Sequence, residues 1–181
     1  MRTLAKFGLT TVLVTAGVMS NLILALSVLR SADAQVRERE ELDWQSFQVP
    51  EFGTTVDYPA SIFSEPDGRP EKGTGQRFDS ANGRAVMTIY ARENEDGDTP
   101  ASYLKKNLRV ARSALDYERV TRSFFAISLE RNGVVLYSRC NFSSDAGGAI
   151  HCFDLVYPQA VNRNWDEIVT RISRSLRPLE G

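Results

Sequence analysis

A chain of 181 residues, 42% hydrophobic and 25% charged with a net charge of −1, has the size of a single globular domain. Its apolar content is too high and its charge too close to neutral for a disordered chain. The same balance excludes nucleic-acid binding driven by bulk positive charge.

The N-terminus reads as a separate object. Arg2 and Lys6 precede an uncharged run from Phe7 to Leu29, followed by Arg30-Ser31-Ala32-Asp33-Ala34-Gln35. A basic start, an apolar run and an A-x-A tripeptide are the pattern of a secretory signal peptide. Residues 1–34 are therefore expected to be removed, with cleavage between Ala34 and Gln35 and the small side chains of Ala32 and Ala34 suiting the peptidase. The run is long for a signal peptide, so a retained membrane anchor over residues 7–29 is the alternative. Both readings export the remainder. Removing 1–34 takes away Arg2, Lys6, Arg30 and Asp33, which moves the net charge from −1 to −3. Residues 35–43 are charged, without apolar periodicity, and read as a flexible lead-in.

A single α+β domain is expected over 44–178. Phe47, Val49, Phe52, Val56 and Tyr58 mark a strand pair broken around Pro50-Glu51, and Ser64–Thr74 is a loop by its Pro and Gly content. Gln76–Asp79 and Arg84–Ala91 flank Asn82-Gly83, which predicts a type I′ hairpin. Met87, Ile89 and Ala91 point one way and Val86 and Tyr90 the other, which implies a sheet covered on both faces. After the acidic loop Glu93–Asp98, Thr99 is placed as an N-cap with Pro100 at the first helical position. Leu104, Leu108, Ala111 and Leu115 then form one stripe of a helix of about four turns.

Arg119–Leu129 and Val134–Phe142 flank a second Asn-Gly, and Ala149–Tyr157 completes a three-stranded meander. A hairpin centred on Ala146 sets Cys140 opposite Cys152, and export permits a disulfide between them. Asn164 is expected to cap a last helix with Glu167 as its capping-box partner. Trp165, Ile168, Val169, Ile172 and Leu176 form its buried face, and Pro178 ends it. The order β-β-β-β-α-β-β-β-α predicts an antiparallel sheet of about six to seven strands with helices packed on its faces, an α/β/α sandwich.

The pattern Phe52-Gly53, Tyr58-Pro59, Phe63, then Gly73, Gly75, Phe78 and Gly83, followed by a helix, a meander and a C-terminal helix, resembles small secreted proteins of Gram-negative bacteria with a PsbP-like sandwich. The resemblance covers roughly 44–178. It implies an α/β/α sandwich acting as a binding or accessory module more often than as an enzyme, and it assigns no functional residue.

The residues themselves present few chemical candidates. His151 is the only histidine. Alternation places it on the opposite face from Cys152 and Asp154 and opposite Asn141, so these neighbours assemble no Ser-His-Asp triad. Glu93, Glu95, Asp96 and Asp98 do not follow EF-hand spacing, and no metal or cofactor is expected. Arg119, Arg122, Arg139, Arg171, Arg174 and Arg177 are guanidinium groups suited to a carboxylate or phosphate if they cluster. His151, Arg139 and Asn141 are the candidate ligand-binding residues. The expected protein is a periplasmic binding or accessory module whose partner is another envelope protein or a small ligand, not nucleic acid. It meets the membrane only if the N-terminal segment is uncleaved. The alternatives are a small exported hydrolase and a membrane-tethered structural protein.

Overall fold

The computed structural model describes residues 42–143, 148–159 and 165–178. The signal peptide, its cleavage site at Ala32, Ala34 and Gln35, most of the charged lead-in, the tip of the cysteine hairpin and the Asn164 cap lie outside the described residues.

The expected α/β/α sandwich is overturned. The described chain is predominantly β and forms two antiparallel sheets with two α-helices. The strand pair β1 (Trp44–Val49) and β2 (Thr54–Pro59) does not join the main sheet. A single 3-10 turn, Pro50–Phe52, folds it back on itself, and Gly53 closes the turn at φ 63°. With β10 (Arg177–Pro178) it makes a small sheet of order β1-β2-β10.

The large sheet contains β3 (Glu65–Pro66), β4 (Thr74–Asp79), β5 (Val86–Glu93), β6 (Tyr117–Val120), β7 (Phe124–Arg131), β8 (Val134–Phe142) and β9 (Ala149–Pro158). Their order is β3-β4-β5-β9-β8-β7-β6. The β7–β8 turn is the expected tight one, with Asn132 and Gly133 both at positive φ. The β4–β5 turn differs. Of its Asn-Gly pair only Gly83 is left-handed, because the Asn82 side chain accepts hydrogen bonds from Ser80 Oγ and the Arg84 amide. That local network delays the strand to Val86. On the far side of the hairpin Gly73, at φ 72°, lies so close to the Ala91 carbonyl that a side chain would collide with it.

One face of the large sheet is covered by the small sheet together with helix α2 (Trp165–Ser175). Met87, Ile89, Phe153 and Leu155 meet Val49, Val56, Phe63, Ile168 and Ile172 there in the main core. On the other face the helix is α1 (Pro100–Asn107), with Tyr103 and Leu104 in the second core. Thr99 caps α1 as expected, in a reciprocal capping box with Ser102. The helix stops two turns short of expectation. The Asn107 side chain donates to the Tyr103 carbonyl, and Leu108 turns extended. A short polar side chain that competes for the last helical carbonyls is an end signal. Leu108 still packs against the second core, but Ala111 sits in an irregular stretch before a 3-10 turn over Arg112–Ala114. The second core is correspondingly small: Tyr90, Tyr103, Leu104, Phe125, Ile150 and the two cysteines.

Candidate functional site

The meander and α2 together build a cleft of about 430 Å³. Strand register explains its shape. On β7, Ala126 pairs with Arg139 of β8 on one side and Arg119 of β6 on the other. Two residues along, Ser128 pairs with Tyr137 and Tyr117 in the same way. Small residues on the central strand thus form a floor between two walls, each an arginine followed by a tyrosine. The arginine-bearing strands are two strand spacings apart, roughly 10 Å. Helix α2 closes the third side with Ser173, Arg174, Thr170 and Asp166, and Tyr157 lines the base.

Arg139 is half-buried and held from several directions. Its Nη1 donates to Ser173 Oγ at 2.9 Å and its Nε to Asn141 Oδ1 at 3.0 Å. Asn141 is fixed in turn by donating to the Leu176 carbonyl at 2.8 Å. Ser173 also meets the Tyr137 hydroxyl at 2.9 Å. The guanidinium lies 4.3 Å from the centre of the Phe124 ring, and Arg119 approaches the same ring at 5.4 Å. Burial pushes the Arg139 pKa down, and the like charge of Arg119 acts in the same direction. The group nevertheless stays charged at any physiological pH. Among the described residues no carboxylate forms an ion pair with Arg139. Burial also raises the Tyr137 hydroxyl, and raises Tyr157 to about 12 with help from the negative charge of Asp166. Both therefore remain hydrogen-bond donors at neutral pH. The cleft as a whole sets three guanidinium groups against one carboxylate.

The sequence candidates are distributed unevenly. Arg139 and Asn141 share this network, one lining the cleft and the other supporting it. His151 does not line it. It is fully buried where the two sheets meet, with Nδ1 2.7 Å from Thr54 Oγ1 and Nε2 3.1 Å from Ser143 Oγ. Burial depresses its pKa, so the neutral ring serves as a tie between the sheets. Ser143 is the nearest nucleophile type, yet the imidazole is closed to solvent and lines neither this cleft nor the one on the opposite sheet face.

Cys140 and Cys152 are paired in register and bonded, with Cα atoms 4.1 Å apart, the close separation of a non-hydrogen-bonded pair. The acidic loop is tied to α1, where Lys106 bridges Asp96 and Asp98 and Ser102 donates to Asp98. Lys106 holds the Asp98 pKa below its ordinary value. Among the described residues no group of three or more His, Cys, Asp or Glu side chains is placed to hold a metal. Of the remaining arginines, Arg174 joins the cleft, whereas Arg171 lies over the Trp44 ring at 4.0 Å. Sequence reasoning missed Ser173, whose hydroxyl links Tyr137 to Arg139. Its only sequence signal is a small polar residue beside Ile172 on the apolar side of the helix.

No family model matches this chain, and no curated protein matches it. Among the described residues no helix is long and apolar enough to cross a membrane. The intramolecular disulfide is compatible with an oxidising, exported location.

Proposed function

We propose that this protein is an exported, non-catalytic binding module of the bacterial envelope, and that it captures a small ligand carrying a carboxylate or phosphate in the arginine–tyrosine cleft. The observation that carries the reading is Arg139. A half-buried guanidinium without a described carboxylate partner has lost hydration without gaining a counter-charge. Its Nη2 donates no hydrogen bond to a described side chain, and Arg119 and Arg174 line the same cleft. A planar fork of this kind matches an anion with two acceptor oxygens. Tyr117 and Tyr137 add hydroxyl donors and flat apolar surface, which suits an anion attached to a ring. Preorganisation by Ser173 and Asn141 favours binding over turnover, because it holds the cation in place without supplying a nucleophile or a base. Export is inferred from the reading of residues 1–34.

The test is calorimetric titration of the purified protein with phenyl phosphate, phthalate and benzyl alcohol. The two anions should bind and the alcohol should not. Arg139→Gln should weaken the anions by at least about tenfold, the size of one charge-assisted hydrogen bond, and raised salt should weaken them further. Equal binding of the alcohol, or anion affinity unchanged in Arg139→Gln, would refute the assignment.

A further inference from the structure

One face of α2 runs the length of the arginine–tyrosine cleft. Asp166, Thr170 and Ser173 have the i, i+4, i+7 spacing of a single helical stripe, and all three line the space. At about 1.5 Å per residue, Asp166 stands roughly 10 Å along the helix from Ser173. Ser173 accepts from Arg139 at 2.9 Å. The buried cation and the carboxylate therefore occupy opposite ends of the cleft.

The sheet gives the same order. Arg139, Tyr137 and Val135 share one face of β8 by alternation, and Val135 pairs with Tyr157 of β9. The negative charge of Asp166 helps to raise the Tyr157 hydroxyl, which sets Asp166 at the Tyr157 end. Along the strand, Arg139 to Val135 spans roughly 13 Å, close to the helical figure. Between the two ends Tyr117 and Tyr137 flank Ser128. Tyr117 is 44% exposed, one of the two large hydrophobic residues exposed among those described. Asp166 is also exposed and forms no ion pair among the described residues.

On the reading of this cleft as an anion site, we propose that its ligand is a short peptide with both termini free. The terminal carboxylate lies on Arg139 and Arg119, an aromatic side chain lies between Tyr117 and Tyr137, and the terminal ammonium lies on Asp166. Charge and length both select this class. A second anionic group at the far end would be set against Asp166, whereas an α-amino group is cationic at neutral pH. A free amino acid is too short, because its two charges share one carbon. An extended chain covers at most about 3.3–3.6 Å per residue, so three residues reach roughly 10 Å. Thr170, midway along the stripe, supplies a hydroxyl for the peptide main chain.

The experiment is calorimetric titration of the full chain at neutral pH and low salt. The probes are alanyl-phenylalanyl-alanine, its N-acetylated form, phenylalanine and phenyl phosphate. The free tripeptide should bind roughly three- to fivefold more tightly than the acetylated one, the scale of an exposed ion pair, and more tightly than phenylalanine. Asp166→Asn should abolish the difference between the two tripeptides and should tighten rather than weaken phenyl phosphate, since it removes a like charge. A separate cleft of about 560 Å³ lies beside α1 on the other sheet face, where the Tyr90 and Ser138 hydroxyls bond to Asp154. Leu136→Ala, at an exposed position in that cleft, should change none of these affinities. Equal affinity of the two tripeptides, a preference that survives Asp166→Asn, or no tripeptide binding would overturn the proposal. Phenyl phosphate separates the two failures. If it binds and needs Arg139, the anion cleft stands and only the peptide assignment falls; if it does not bind, the anion reading fails and the peptide assignment with it.

Discussion

Reducing the Cys140–Cys152 bond isolates a single contribution to stability. The bond closes a sequence separation of 12 residues. In the chain-entropy treatment a loop of that size restricts the unfolded ensemble by about 3 kcal/mol. Both sulfurs are buried in the second core. Reduction leaves them in place, so no cavity is created and the loss should be close to the entropic figure alone. For a domain of this size it corresponds to a fall in Tm of roughly 10 °C. The assay is thermal unfolding followed by circular dichroism, with and without a phosphine reductant, after confirming thiol release by mass. The double variant Cys140→Ala/Cys152→Ala should fall further, because it also removes buried sulfur contacts. A shift below about 3 °C on full reduction would refute the reasoning. It would mean that β8 and β9 remain associated in the unfolded chain without the bond, so that the cross-link constrains nothing.

Two further outcomes follow from the buried residues. Burial raises the Asp154 pKa in the folded state, so its favourable contribution is complete below the unfolded value of about 3.9 and is lost as pH rises through the folded one. Asp154→Asn should therefore gain stability relative to the parent as pH increases from 4 to 8, read as the difference in urea midpoints; a difference that stays constant with pH would defeat this. His151 acts in the opposite sense, its depressed pKa contributing stability that is lost on acidification below about 6.5, but it is common to both proteins and cancels in the comparison. Ile172 is fully buried on α2 in the main core, and Ile172→Ala should cost about 2–5 kcal/mol in chemical denaturation, whereas a loss under 1 kcal/mol would show that α2 is not docked as described.

Local features were the legible part of the sequence. The Asn132-Gly133 turn, the Thr99-Pro100 helix start, the apolar face from Trp165 to Leu176 and the pairing of Cys140 with Cys152 each depend on residues close together in the chain, and each is present. The layer arrangement was not legible. Whether β1 and β2 add to the main sheet or stack on it depends on partners far off in the chain, such as Thr55 with Arg177 and Thr54 with His151. The apolar stripe through Leu108, Ala111 and Leu115 has helical spacing, but Asn107 is held by Lys72 from a distant loop, and no local pattern reports that. The arginine cleft was half legible. The arginines could be named as anion ligands, yet only the β6–β7–β8 register shows that Arg119 and Arg139 flank one alanine. Asp154 was weighed only as a partner for His151, because its burial depends on where α1 stops.

The two clefts share one strand. Along β8, Tyr137, Arg139 and Asn141 face α2, while Leu136, Ser138 and Cys140 face the α1 side. Alternation makes this unavoidable: a strand that presents cations to one layer presents its intervening residues to the other. The register that sets Arg139 between Ala126 and Phe153 also sets Ser138 beside Asp154 and Cys140 beside Cys152. A slip of one residue would exchange the faces, burying Arg139 in the small core and turning Cys140 toward the basic cleft. The disulfide forbids that slip covalently. Its structural role therefore extends beyond the hairpin it closes, since it holds the guanidinium groups on one side of the sheet and the hydroxyl row on the other. A strand that keeps two chemically opposed surfaces gains from fixed register, and an oxidising compartment is where a cysteine pair can fix it.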